Sequence, residues 1–168
     1  MTVRPPRSRT ARFDAMLGLL CDTRHPALAG FPTDANCDWQ WTPLVENVRS
    51  VNLTDAPRAL KPIVSAIDDW NRNWRLGVIF ECKVGPGRLL VSAIDLQKPG
   101  ATVGAQQLRR SLFDYMASPI FQPAATLSPT EIRQLWTVSA KSDPAAAPRA
   151  FDPDLNDGTL PTSAPKKF

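Results

Sequence analysis

Leu76-Gly77-Val78-Ile79-Phe80-Glu81-Cys82-Lys83-Val84, then Gly85-Pro86-Gly87, then Arg88-Leu89-Leu90-Val91-Ser92-Ala93-Ile94-Asp95-Leu96 is the most legible stretch of the chain. Two runs rich in Val, Ile and Leu flank a Gly-Pro-Gly turn, which reads as two strands closed into a hairpin. The second run is almost wholly apolar, so both its faces are expected to be covered. A phosphate cradle needs a strand, a glycine-rich loop and then a helix. Here a strand follows, so the glycines read as turn residues.

Working outward, residues 16–21 form a short apolar run, expected as a buried strand. Residues 49–53 alternate polar and apolar, as a half-buried strand does. Residues 62–67 are a further strand, ended by Asp68 and Asp69. Residues 25–41 read as a loop broken by Pro26, Gly30 and Pro32. A short helix is expected over 43–48, with Thr42 as N-cap and Pro43 in the first turn. Downstream, Leu108, Leu112, Tyr115 and Met116 recur at helical spacing, with Arg109, Arg110 and Asp114 on the other face. The spacing predicts a helix over 106–116. A last short helix over 130–136 has Ser128 as its cap. Residues 1–14 read as a disordered basic leader, 15–138 as an α/β accessory domain and 139–168 as a disordered Pro/Ala-rich tail.

A chain of 168 residues with 43% hydrophobic content has room for one domain with a real core. The net charge of +4 comes largely from Arg4, Arg7, Arg9, Arg12, Lys166 and Lys167, at the two ends. No basic stripe with interleaved aromatics crosses the middle, so nucleic acid is not an expected partner. No apolar run reaches membrane-spanning length, and no export signal is visible, which leaves the compartment open. Three cysteines, Cys21, Cys37 and Cys82, lack metal-ligand spacing, and their odd number argues against a disulfide framework. With His25 the sole histidine, a His-based zinc site is not expected, and no cofactor is implied.

Four of the five tryptophans lie close together, in Asp38-Trp39-Gln40-Trp41 and in Trp70-Asn71-Arg72-Asn73-Trp74. Flat rings beside hydrogen-bonding side chains suit a pyranose, whose C–H faces stack while its hydroxyls are bridged. Trp39 and Trp41 share a face if the segment is extended. Trp70 and Trp74 share one if theirs is helical. Asp38, Gln40, Asn71 and Asn73 supply the polar contacts. The plainer account puts these rings in the core or against another domain, which would leave an apolar patch on the isolated chain and promote self-association.

Leu17-Gly18-Leu19-Leu20-Cys21-Asp22 followed by His25-Pro26-Ala27-Leu28-Ala29-Gly30-Phe31-Pro32-Thr33-Asp34 resembles the C-terminal region of large bacterial, β-galactosidase-like proteins of glycoside hydrolase family 2. Asp38-Trp39-Gln40-Trp41, Ile67-Asp68-Asp69-Trp70-Asn71-Arg72-Asn73 and Phe80 through Leu90 do so too, as do Gln107-Leu108-Arg109-Arg110-Ser111-Leu112, Tyr115-Met116-Ala117-Ser118 and Phe121-Gln122-Pro123. The resemblance runs in one order over residues 16–136. It implies an incomplete three-layer α/β domain, flavodoxin-like and of the class I glutamine-amidotransferase type. It also implies a role in carbohydrate breakdown beside catalytic domains, or in contact with a glycan. The barrel's two catalytic glutamates do not carry over, because a barrel of that kind needs about 250 residues. The chain is then a truncated or split gene product, or a free-standing relic.

Two constellations bear on chemistry. Glycoside hydrolysis needs two carboxyls, about 5 Å apart for retention and further for inversion. Candidates are Asp34, Asp38, Asp68, Asp69, Glu81 and Asp95, of which Glu81 sits in an apolar strand where burial can suit it to acid work. The plainer account pairs Glu81 with Arg75 or Arg88, or has it cap a backbone group. An amidotransferase nucleophile needs a Cys on a sharp strand-to-helix turn with a His nearby. Cys21 precedes His25 by four residues, but nothing like a Gly-x-Cys-x-Gly elbow surrounds it, and its neighbours are Leu20 and Asp22. The leading expectation is a non-catalytic accessory domain. A free-standing carbohydrate-binding module using Trp39 and Trp41 comes second, and a glycosidase using Glu81 last.

Overall fold

The computed structural model describes residues 10–12, 17–36, 39–46, 48–70, 73–97 and 102–136. Most of the expected leader and all of the tail beyond 138 lie outside them. Six strands form one sheet: β1 (Thr10–Arg12), β2 (Gly18–Cys21), β3 (Arg49–Asn52), β4 (Pro62–Ile67), β5 (Leu76–Val84) and β6 (Gly87–Ser92). The spatial order is β1-β3-β5-β4-β2, every pairing is antiparallel, and β6 pairs with β5. β3 and β6 share one edge of β5 in succession: β3 meets Leu76 and Gly77, and β6 meets residues 79–84. On its other edge β5 pairs with β4, and then Lys83 exchanges backbone hydrogen bonds with Ala125 and Leu127. Three α-helices accompany the sheet: α1 (Thr42–Val45), α2 (Val103–Ala117) and α3 (Pro129–Gln134).

The expected flavodoxin-like, amidotransferase-type three-layer fold is overturned by these pairings. That architecture needs parallel strands joined by crossover helices on both faces. Here β5 and β6 form the hairpin foreseen in the sequence, and β4 and β5, consecutive strands, pair antiparallel. α2 is the one long helix among the described residues. The expectation for β6 also changes: its side chains are half-buried on both faces, but it forms an edge of the sheet. Thr10–Arg12, within the residues read as leader, pairs with β3 as β1.

Two cores lie on opposite faces of the sheet. The larger gathers Leu19, Cys21, Val64, Ala66, Leu76, Val78 and Ile79 under Ala105, Leu108, Leu112 and Tyr115 of α2, with Phe31 and Trp41 beside them. The smaller joins Val51, Phe80 and Cys82 to Leu53, Leu60, Ala125, Leu127 and Leu135. β5 serves both because successive side chains point to opposite faces, and a bulge shifts the phase of that alternation. Val64 pairs with Ile79 and Ser65 with Gly77, so Val78 is the extra residue. A bulge turns two neighbours to the same side. Val78 and Ile79 therefore both enter the larger core, Phe80 and Cys82 enter the smaller, and Glu81 faces α2.

Gly77 sits where β5 runs closest to the 53–60 segment. A Cβ there would lie 2.7 Å from Leu53 Cδ1 and 3.1 Å from Phe80 Cδ1. Gly77→Ala is expected to overpack the smaller core and cost about 1–3 kcal/mol, read as a lower urea midpoint at unchanged m-value.

Candidate functional site

Among the described candidates, Glu81 is set beside both a phenol and an imidazole. Tyr115 Oη donates to Glu81 Oε2 at 2.9 Å, and His25 Nε2 lies 3.8 Å from Oε1. The imidazole meets the phenol edge-on at a centroid distance of 5.4 Å. His25 Nδ1 accepts from the Ala27 N–H at 3.3 Å and so caps the 3₁₀ turn Pro26–Leu28. That leaves Nε2 as the N–H carrier facing the carboxylate. Arg75 and Arg88 do not hold Glu81 in the way the plainer reading expected. The Arg75 guanidinium donates to the carbonyls of Leu53, Ala56 and Pro57. Arg88 donates to the Phe121 carbonyl at 2.6 Å.

One stripe of α2 builds this corner. Gln107, Ser111 and Tyr115 follow each other at four-residue spacing and so share a face. Gln107 Nε2 donates to the Gly30 carbonyl, and Ser111 Oγ donates to the Ala27 carbonyl while accepting from the Gly30 N–H. Together with the Tyr115–Glu81 bond, they fasten segment 25–31 over the end of the sheet.

Chemically the corner offers one carboxylate, one phenol and one imidazole. Neither the phenol nor the imidazole is the second carboxyl that glycoside hydrolysis needs. Burial pushes the Tyr115 phenol well above its ordinary value, and the hydrogen bond to Glu81 and the charge of that carboxylate add to the shift. The folded state therefore holds the proton more tightly than the unfolded chain. This stabilisation is complete below the unfolded value, about pH 10, and is lost as pH rises through the folded one. Tyr115 is the chain's only tyrosine. Absorbance at 295 nm is expected to show almost no phenolate at pH 10.5 in the folded protein and about three-quarters of the full signal once urea unfolds it.

Cys21 and His25 do not form a nucleophile pair: Cys21 enters the larger core from β2, and His25 turns to Glu81. Cys82 is buried, and burial, with Glu81 adding, pushes its thiol up, away from the reactive thiolate. Cys37 lies outside the described residues. Among the described residues no group of three or more His, Cys, Asp or Glu could hold a metal ion. No helix among them is long and apolar enough to cross a membrane.

The tryptophans separate. Trp41 is fully buried, its indole N–H donates to Thr33 Oγ1 at 2.6 Å, and it packs edge-on against Phe31. Trp39 is 92% exposed, so the two rings share no platform. Gln40 donates to the Pro32 carbonyl at 2.6 Å. Trp70 is 86% exposed, whereas Trp74 packs against the larger core and gives its backbone N–H to Asp68 Oδ2. Asn73 is exposed at φ 49°, in the left-handed region that Asn tolerates. Asp38 and Asn71 lie outside the described residues. Sequence reasoning missed Tyr115 and Ser111 as polar anchors. The signal available was their shared helix face with Gln107.

A second apolar surface is found on the sheet. Alternation along β2 and β4 sends Leu19, Cys21, Val64 and Ala66 into the larger core and turns Leu20, Ser65 and Ile67 to the other face. The 53–60 and 121–135 segments cover the β3–β5–β6 half of that face, and among the described residues the β2–β4 half has no such cover. Leu20 is 47% and Ile67 37% exposed there, with Leu17 exposed alongside and bonded through its N–H to the Ile67 carbonyl.

These features define an antiparallel β-sheet domain with one helix-covered face and one half-covered face. The chain belongs to the family described as "Domain of unknown function (DUF8487)", whose model matches residues 7–137. No curated protein matches it.

Proposed function

We propose that the chain is a non-catalytic accessory domain of a family 2 glycoside hydrolase and packs against that enzyme's other domains. The observation that carries this reading is the open β2–β4 half-face, where Leu17, Leu20 and Ile67 meet solvent on an otherwise packed sheet. Apolar side chains grouped at solvent on one sheet face are the kind of surface that a partner domain covers. The order of motifs over residues 16–136 supplies the kind of partner. The Glu81 corner supports the non-catalytic part, since its groups secure segment 25–31.

The test has two arms. The purified chain should give no turnover of aryl glycosides, and Glu81→Gln should change nothing in that assay. Sedimentation velocity should show concentration-dependent self-association of the chain, removed by Leu20→Lys with Ile67→Lys at an unchanged unfolding midpoint. Turnover abolished by Glu81→Gln would overturn the reading, as would a chain that stays monomeric at high concentration. A second reading, glycan stacking on the solvent-facing Trp39 and Trp70, predicts saturable quenching of tryptophan fluorescence by oligosaccharides, lost in Trp39→Ala.

A further inference from the structure

The other side of the sheet holds a groove of about 470 Å³ between α2 and β6. Leu112, Phe113 and Met116 of α2 form one wall, and Leu90, Ile94 and Leu96 form the other. Phe113 and Met116 remain 51% and 38% exposed although they point along the groove's helical wall. The strand beside them has an open edge. The Ala93 N–H donates to the Val78 carbonyl. Leu89 and Val91 therefore turn their backbone groups to β5, and Arg88, Leu90 and Ser92 turn theirs outward. Among the described residues β6 pairs with β5 alone. Edges of this kind are usually guarded by charges, proline or a bulge. Leu89-Leu90-Val91-Ser92 has none of these, and Arg88 is engaged with Phe121.

We propose that this groove binds an extended peptide of a partner protein by adding a strand to β6. Backbone groups of the peptide pair with Arg88, Leu90 and Ser92, and alternate apolar side chains drop against Phe113 and Met116. Arg109, at the rim with its guanidinium carbon 5.5 Å from the Phe113 ring centre, selects an acidic residue on the peptide. The site lies on the α2 side, opposite the half-face assigned to domain packing, and stands independently of that assignment.

The test is selection of a phage-displayed dodecapeptide library on the full chain, followed by fluorescence anisotropy of a labelled winner. The expected winners carry apolar residues at every second position and an Asp or Glu. Arg109→Glu should weaken binding about tenfold. N-methylation of alternate peptide amides should weaken it at least as much, because the added strand needs those donors. Failure to select any peptide overturns the proposal, as does a winner indifferent to both N-methylation and Arg109→Glu. If a second copy of the chain fills the groove instead, Phe113→Glu will abolish dimerisation and no peptide will bind, which also overturns it.

Discussion

Trp41→Ala should lower the free energy of unfolding by about 3–5 kcal/mol, the largest effect expected of any single substitution. The indole is fully buried, its N–H has a partner in Thr33, and its ring stands 5.1 Å from Phe31 at 77°. Truncation removes the buried area, leaves a cavity and takes one of two hydrogen bonds from the Thr33 hydroxyl, which still donates to the Asp34 carbonyl. Trp41→Phe should lose less, since most of the apolar volume survives and only the N–H bond goes. Trp39→Ala is the control two residues away. With its ring in solvent, its cost should stay within about 0.5 kcal/mol. Urea unfolding of the three variants at constant m-value makes the comparison. A costly Trp39→Ala beside a neutral Trp41→Ala would mean that the two rings have exchanged places.

Ser111→Ala should cost about 1–3 kcal/mol, although it removes one oxygen atom. Ser111 Oγ donates to the Ala27 carbonyl at 2.7 Å and accepts from the Gly30 N–H at 3.0 Å. Alanine leaves the carbonyl of the fully buried Ala27 without that bond, and an orphaned buried group costs about 1–3 kcal/mol, whereas the part-buried Gly30 N–H can turn to water. Substitution of Gly30 attacks the same contact from the other side, because a Cβ there would sit 3.2 Å from Ser111 Cβ. Amide exchange should locate the damage: the Gly30 N–H should exchange faster in Ser111→Ala, while those of β4 and β5 keep their order. Uniform acceleration across the sheet would show that Ser111 supports more than segment 25–31.

The hairpin, the β4 bounds and the α2 core face were legible because each is a local pattern. The Ser128 cap was legible too: Ser128 and Glu131 form a reciprocal capping box, as a Ser followed three residues later by Glu signals. Strand direction was not legible. Alternation along Arg49–Asn52 or Pro62–Ile67 says which residues share a face and nothing about parallel or antiparallel neighbours. The hairpin, an antiparallel pair, was the local signal against the fold class drawn from the resemblance, and the other strands carried none. Asp38 to Trp41 looks extended, yet residues 39–41 turn into α1, which sends Trp41 inward and leaves Trp39 outside. Glu81 was visible as a carboxylate in an apolar strand, but its neighbours were not. They depend on the bulge at Val78 and on α2 crossing β5, both products of tertiary pairing.

Isothermal titration of the chain with the barrel-containing module of a family 2 glycoside hydrolase from the same genome tests the docking account most directly. The account predicts saturable binding at one-to-one stoichiometry, abolished by Leu20→Lys with Ile67→Lys and untouched by Glu81→Gln. Absence of heat with a folded chain, or binding that survives the double lysine substitution, would contradict it.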